Sequence, residues 1–180
     1  CADNYRSKLA PNDRSTNTVF SDGASATWIS NRPLLEIIAE SHSSDGSGGK
    51  YLYQMVPKTG ENSQLVMSGA DVLLFTRRVV PSEIENALRK SGVSSSDVSY
   101  CFFHQASKLV LDGLSSRFTE FGCIPSNISH VGNTVSSSIP ILMSDYLCDI
   151  NESVSVLCGF GVGLSTATIV LANTKNLKRI

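Results

Sequence analysis

The chain has 180 residues, 41% of them hydrophobic and 17% charged, enough for one domain or two small ones with a core of ordinary size. A formal net charge of −1 gives no electrostatic footprint for nucleic acid or an anionic membrane as partner. No apolar run approaches the ~20 residues of a membrane span, and no secretory signal pattern opens the chain. The five cysteines form no C-x-x-C pair, so reduced thiols in a cytoplasmic protein are expected rather than a disulfide framework. The first residue is Cys1 and not Met, which reads as a piece of something longer.

Residues 1 to 16 are polar and aperiodic, with Pro11, Asn12 and Asp13 as turn formers. A strand begins at Thr18-Val19-Phe20, breaks at Asp22-Gly23 and resumes from Ala24 to Ile29. Leu34 to Ala39 reads as a second strand, and Ser43 to Gly49 as a flexible loop by composition. From Met67 to Ser91 the spacing turns helical, with Val72, Phe75, Thr76 and Val79 on one face and Ile84 and Leu88 beyond Pro81. Proline removes a backbone donor, so a kink or two helices capped by Ser82 are expected there, with Gly92 as the stop. Arg77 and Arg78 are either a phosphate grip or a solvated basic face.

Tyr100-Cys-Phe-Phe103 shows no alternation and reads as a strand buried on both faces. Val110, Leu114, Phe118 and Phe121 then mark a helix from Ser107 that ends at Gly122. Ile128 to Val131 is a short extended piece leading into Gly132-Asn133. Ser136 to Ser138 supply a cap and Pro140 a first helical turn, with Ile139, Leu142, Met143, Tyr146, Leu147 and Ile150 on the buried face. Val154 to Leu157 and Thr166 to Leu171 are two final strands, split by Gly159-Phe-Gly-Val-Gly163. Strands alternating with helices give an α/β layer fold with a mixed sheet.

His104 stands at the join between a buried strand and a helix, where open α/β sheets place their ligands; the other reading is a core histidine satisfied by backbone. His104-Gln-Ala, Gly132-Asn133-Thr134 and Gly159 to Gly163 each follow an extended segment and are expected to gather at one sheet edge. A histidine and an asparagine there supply two donors without net charge, which suits a carbonyl oxygen that becomes negative. Gly161 and Gly163 leave room for backbone N–H groups to approach, though the same run also fits a tight hairpin. It is not a dinucleotide fingerprint, because G-x-G-x-G lacks the spacing and a strand follows.

Four motifs in order carry a resemblance: Phe20-Ser-Asp-Gly-Ala24, His104-Gln-Ala106, Gly132-Asn-Thr134 with Ser138-Ile-Pro140, and Gly159-Phe-Gly-Val-Gly163. Ser44-Asp-Gly-Ser47 and Met67-Ser-Gly69 add to it. The chain resembles the C-terminal half of β-ketoacyl-acyl carrier protein synthase III, in the thiolase superfamily, over nearly all of residues 1–173. The resemblance implies an α/β thiolase-like half, a mixed five-stranded sheet with helices packed on it, over 1–173, and a polar tail at 174–180.

It also implies a decarboxylating Claisen condensation. A cysteine of the missing N-terminal half is acylated by a coenzyme A thioester. His104 and Asn133 then hold the carbonyl of a malonyl-acyl carrier protein and stabilise the enolate formed as carbon dioxide leaves. Phe160 packs beside the departing carboxylate, and Gly161 and Val162 complete a second oxyanion hole through the Val162 amide. No metal and no cofactor are implied. The implied partners are the N-terminal half, acyl carrier protein, coenzyme A thioester and a second copy of the enzyme as homodimer; nucleic acid and membrane are not among them.

Two departures stand out: Ser107 and Leu109 replace the Asn and basic residue common in the family, and Val162 stands where many members have glycine. Cys158 lacks the strand-to-helix turn of a nucleophile and is read as structural. Cys101 lies three residues before His104 on one strand, so the two side chains face opposite ways. The rival reading is a non-catalytic binding or assembly domain that keeps the fold.

Overall fold

The computed structural model describes residues 1–56, 64–150 and 153–173, and the polar tail at 174–180 lies outside them. In chain order, β1 (Ala2–Asp3) is followed by α1 (Arg14–Asn17), β2 (Gly23–Ala24) and the long β3 (Leu35–Ser44). A 3-10 segment at Gly46–Tyr51 leads to β4 (Leu52–Met55), β5 (Gln64–Met67) and α2 (Gly69–Ser91). Then come β6 (Val98–Phe103), α3 (Lys108–Ser115), α4 (Ile128–Val131), α5 (Ser138–Ser144), β7 (Val154–Gly161) and β8 (Ser165–Asn173).

The main sheet has four strands in the order β3-β8-β7-β6. The β6–β7 pair is parallel, while β7–β8 and β8–β3 are antiparallel, so the sheet is mixed as expected. It has one strand fewer than the resemblance implied among the described residues. Within the stretch read as a strand to Ile29, pairing is limited to Gly23 and Ala24, with β1, and an isolated bridge from Phe20 to Asn133. Trp28 and Ile29 are both 91% exposed, so no sheet partner covers their backbone or side chains.

Alternation along β6 sorts the core into two faces. Cys101 and Phe103 point with Val156, Cys158 and Val170 toward α2 and α3, meeting Val80, Ile84, Ala87, Leu88, Val110 and Leu114. Phe102 points to the other face, against Leu142 of α5 and Ile150, with Tyr100 and Tyr146 at the margin. Each such fully buried side chain contributes roughly 1.5–3 kcal/mol of transfer free energy. With helices on both faces, strand β6 reads as an unbroken apolar run for the reason anticipated.

Several boundaries differ from the expectation. Helix α2 runs unbroken through Pro81, because Val80 and Ile84 are fully buried on either side of it and hold both halves against the sheet. Ser82 does not cap a second helix; its hydroxyl donates to the Val79 carbonyl at 2.8 Å. Gly92 ends α2 with a φ of +73°, the left-handed stop that glycine allows. Ser43 and Ser44 belong to β3, which the hydroxyl-rich composition concealed. Helix α3 stops at Ser115, and Phe118 and Phe121 reach the core from the turns that follow. Ile128–Val131 is one helical turn and not an extended piece.

Candidate active site

Strand β6 delivers His104 to the site. The His104 N–H donates to the Cys158 carbonyl at 2.9 Å, continuing the β6–β7 ladder by one bond and setting the imidazole beside Phe160. The two rings meet edge to face with centroids 5.3 Å apart. The parity of the strand puts His104 on the side of Tyr100 and Phe102, which is the α5 side; Cys101 faces away, as anticipated.

Gln105 anchors this corner from within. It is fully buried, its Nε2 donates to the Phe103 carbonyl at 2.9 Å, and its Oε1 accepts from Ser126 Oγ and the Asn127 N–H. Ser107 Oγ accepts from the Val110 N–H at 3.4 Å and caps α3. Lys108, on the first turn, pairs with Asp112 at 2.9 Å, so it is engaged along its own helix.

Asn133 arrives by a different route. The Phe20-Ser-Asp-Gly-Ala24 motif forms its bed: the Asn133 N–H donates to the Val19 carbonyl, Ser21 N–H donates to the Asn133 carbonyl, and Phe20 bridges Asn133 in parallel. Gly132 makes the approach with φ +75°, and a Cβ there would lie 2.9 Å from Ser21 Oγ. Asn133 is buried; its Nδ2 donates to the Ala106 carbonyl at 3.2 Å and its Oδ1 accepts from the Val135 N–H at 2.9 Å. An amide NH2 carries two donors, and Ala106 takes one of them.

Val135 joins the two. It holds φ +54°, a left-handed conformation that a β-branched residue rarely adopts and that concentrates at functional sites. Its backbone also hydrogen-bonds the His104 ring, a contact that favours the protonated imidazole. Burial works the other way and wins, lowering the His104 pKa to about 4. The ring is therefore neutral at physiological pH.

A cleft of about 220 Å³ opens here, lined by Leu52, His104, Val135, Ser136, Ser138, Ile139 and Gly159 to Val162. His104, Phe160, Gly161 and Val162 all line this cleft; Asn133 is not among its lining residues and is tied to Val135 instead. Gly159 to Gly161 end β7 and a tight hairpin follows, with Gly161 opposite Ser165, so the glycine run is a hairpin and a cleft wall at once. Val162 is 59% exposed at its tip.

Sequence reasoning cast Ser138 as part of a helix cap. It is instead the first residue of α5, and its Oγ lies 2.7 Å from His104 Nδ1. Its place in the Ser138-Ile-Pro140 motif was the available signal. Val135 carried no signal, because nothing in a sequence marks a valine held at positive φ.

Cys158 is buried in the core, where its sulfur accepts from Thr168 Oγ1 at 3.2 Å and burial pushes its thiol up to about 11. Cys101 is likewise buried and raised well above the usual thiol range, first by burial and then by Cys158. Neither has the environment of an activated nucleophile. No group of three or more metal-ligating side chains occurs among the described residues. None of their helices is long and apolar enough to cross a membrane.

Residues 88–172 match the family described as 3-oxoacyl-[acyl-carrier-protein (ACP)] synthase III C terminal. The chain is 33% identical over 177 residues to β-ketoacyl-[acyl-carrier-protein] synthase III of Lactococcus lactis subsp. lactis (strain IL1403), an alignment covering 88% of this chain and 54% of that protein. The corresponding protein of Streptococcus sanguinis (strain SK36) is 31% identical over 173 residues, covering 88% and 53%. The crystal structure of 3-oxoacyl-(acyl carrier protein) synthase III from Pseudomonas aeruginosa PAO1 superimposes with a TM-score of 0.79 at 27% identity, covering 95% of this chain and 56% of that one. The chain spans about half the length of the curated relatives it matches. Over most of its length the chain is thus similar to ketoacyl synthase III proteins in sequence and in fold, and residues 88–172 match the model of their C-terminal part.

Proposed function

We propose that this chain is the enolate-stabilising half of a ketoacyl synthase III-like acyltransferase that condenses an acyl thioester with a malonyl-carrier protein. The observation that carries the reading is the shared frame of His104 and Asn133: Val135 donates to Asn133 Oδ1, and its backbone also bonds the His104 ring. Such a frame fixes two uncharged donors relative to one another before substrate arrives. Preorganised donors of this kind stabilise an oxyanion without reorganising in the transition state.

Loss of carbon dioxide from the malonyl group leaves its electron pair on the α-carbon and, by resonance, on the thioester oxygen. A neutral imidazole N–H and the second Asn133 N–H face that oxygen in this reading. The carbanion then attacks the acyl group on a cysteine outside this chain, forming the carbon–carbon bond and expelling the thiolate. Phe160 keeps the carboxylate end apolar, which favours its departure as neutral carbon dioxide. The Val162 N–H, at the exposed hairpin tip, is the chain's contribution to the oxyanion hole for acyl transfer.

In the same reading, residues 1–173 form one C-terminal domain and the exposed Trp28 and Ile29 meet the N-terminal half of the same protein. The whole enzyme is a cytoplasmic homodimer that uses coenzyme A thioesters and acyl carrier protein, with no resident metal or cofactor. The test is incubation of the whole protein with an acyl-coenzyme A, followed by mass mapping. An acyl adduct on a cysteine outside this chain is expected; an adduct on Cys101, Cys158 or any other cysteine of these 180 residues would contradict the reading.

A further inference from the structure

We infer that Val162 is a specificity-determining residue: its side chain bounds the room for the acyl group that meets the malonyl unit, and so selects short, unbranched acyl thioesters. This rests on the proposed acyl transfer, in which the Val162 N–H faces the acyl carbonyl, and deepens it by naming the substrate class.

The inference follows from which side chain stands between two spaces. Beside the cleft of about 220 Å³ that holds His104, a groove of about 370 Å³ runs over β3 and β8, bordered by His42, Ser44 and Ala167. The two share one wall, Gly159 to Val162. Gly159 and Gly161 put no side chain on that wall, and a Cβ built at Gly161 would meet nothing within 4 Å. Phe160 is 8% exposed and turned edge to face against the His104 ring. Val162, 59% exposed, is thus the one side chain of the wall that stands free in the opening. An acyl group carried on a cysteine outside this chain must arrive from that open side. Its carbonyl, accepting from the Val162 N–H at an ordinary length of about 2.9 Å, brings the first carbons of the acyl chain next to the side chain of the same residue.

Neither that side chain nor its support yields easily. A β-branched residue is stiff at χ1, so Val162 does not fold aside as an unbranched side chain would. The hairpin beneath it is tied down: Gly161 pairs with Ser165, Thr166 Oγ1 donates to the Gly159 carbonyl at 3.1 Å, and the Ser44 and Ser165 hydroxyls share a hydrogen bond of 2.8 Å. Gly163 closes the turn at φ +144°, where a Cβ would lie 2.1 Å from Ser165 Oγ. A longer or branched acyl group therefore meets a fixed apolar obstacle. The fit of a single methylene in an apolar site decides about ten- to two-hundred-fold in kcat/KM.

The test is kcat/KM for acylation of the nucleophilic cysteine in the whole enzyme, with acetyl-, butyryl-, hexanoyl- and isobutyryl-coenzyme A. The unaltered enzyme should prefer acetyl to hexanoyl and to isobutyryl. Val162→Gly should raise the hexanoyl-to-acetyl and isobutyryl-to-acetyl ratios about ten- to two-hundred-fold, with Val162→Ala in between. Val162→Ile, which keeps the stiff χ1 and adds a methylene, should lower the butyryl-to-acetyl ratio. Ratios are the readout because a loosened hairpin would slow every thioester alike. Unchanged ratios in Val162→Gly and Val162→Ala overturn the inference, as does an unaltered enzyme that takes hexanoyl as readily as acetyl; both leave the acyltransferase reading standing. Absence of acylation by all four thioesters overturns that reading, and the inference with it.

Discussion

Asp3 and Ser136 are 133 positions apart, yet the Asp3 carboxylate accepts both the Ser136 N–H, at 3.1 Å, and the Ser136 hydroxyl. The first strand of the chain thus closes over the turn that carries Val135, next to the imidazole. A carboxylate accepting two bonds at a 3-10 turn acts as a cap does, and charge-assisted bonds contribute more than neutral ones.

Asp3→Ala should therefore lower stability by about 1–2 kcal/mol. Asp3→Asn should cost less, because an amide oxygen still accepts. Urea denaturation of the three proteins checks both statements, with equal values for all three counting against the clamp.

Gly23 lies under the same turn, and a Cβ there would sit 2.6 Å from Thr134 Cβ and 2.8 Å from Thr134 Cγ2. Gly23→Ala must push Thr134 away, and overpacking of this kind costs about 1–3 kcal/mol. The change should lower the denaturation midpoint and shift the amide resonances of Asn133 and Val135. Unchanged resonances would mean that the loop is not braced from this side.

The pH dependence of stability has a definite sign. His104 titrates near 4 in the folded chain against an ordinary value of 6.5, so between these limits the unfolded chain binds the extra proton. Stability is intact above about pH 6.5 and is lost as the pH falls toward 4, by up to about 3 kcal/mol from this residue. Urea titrations of the unaltered chain and His104→Gln over that window should differ in slope, the variant being flatter. Parallel curves would contradict the burial of a neutral ring.

Thiol reactivity separates the cysteines. Cys1 and Cys148 are exposed, whereas Cys101 and Cys158 are buried with raised thiols. Iodoacetamide at neutral pH should label the first two in the folded chain and leave the other two until denaturant is added. Rapid native labelling of Cys158 would overturn its structural role.

The elements legible in the sequence are those whose pattern reflects burial. The run Tyr100 to Phe103 reads as a strand because two helical layers cover it, and the alternate faces of Cys101 and Phe102 follow from its parity. Gly92 and the Gly159 to Gly163 hairpin were legible through glycine chemistry. Pro81 misled, since local propensity foresees a break that the buried Val80 and Ile84 overrule. Ser43 and Ser44 misled because strand pairing with β8 uses backbone groups that composition does not reveal. At the site, His104 and Asn133 were legible as residue types in motifs. The frame between them was not, because Val135, Asp3 and the hydroxyl of Ser138 meet only through tertiary structure.

The most direct test of the account is carbon dioxide release from a malonyl thioester by the whole enzyme carrying His104→Ala or Asn133→Ala, measured beside the burst of cysteine acylation. Removing one oxyanion donor typically costs about a hundred- to a thousand-fold in rate. Each variant should release carbon dioxide slower by that order while acylation, which the proposed mechanism assigns to backbone N–H groups, stays nearly normal. Release at the unaltered rate in His104→Ala would contradict the enolate role of this histidine.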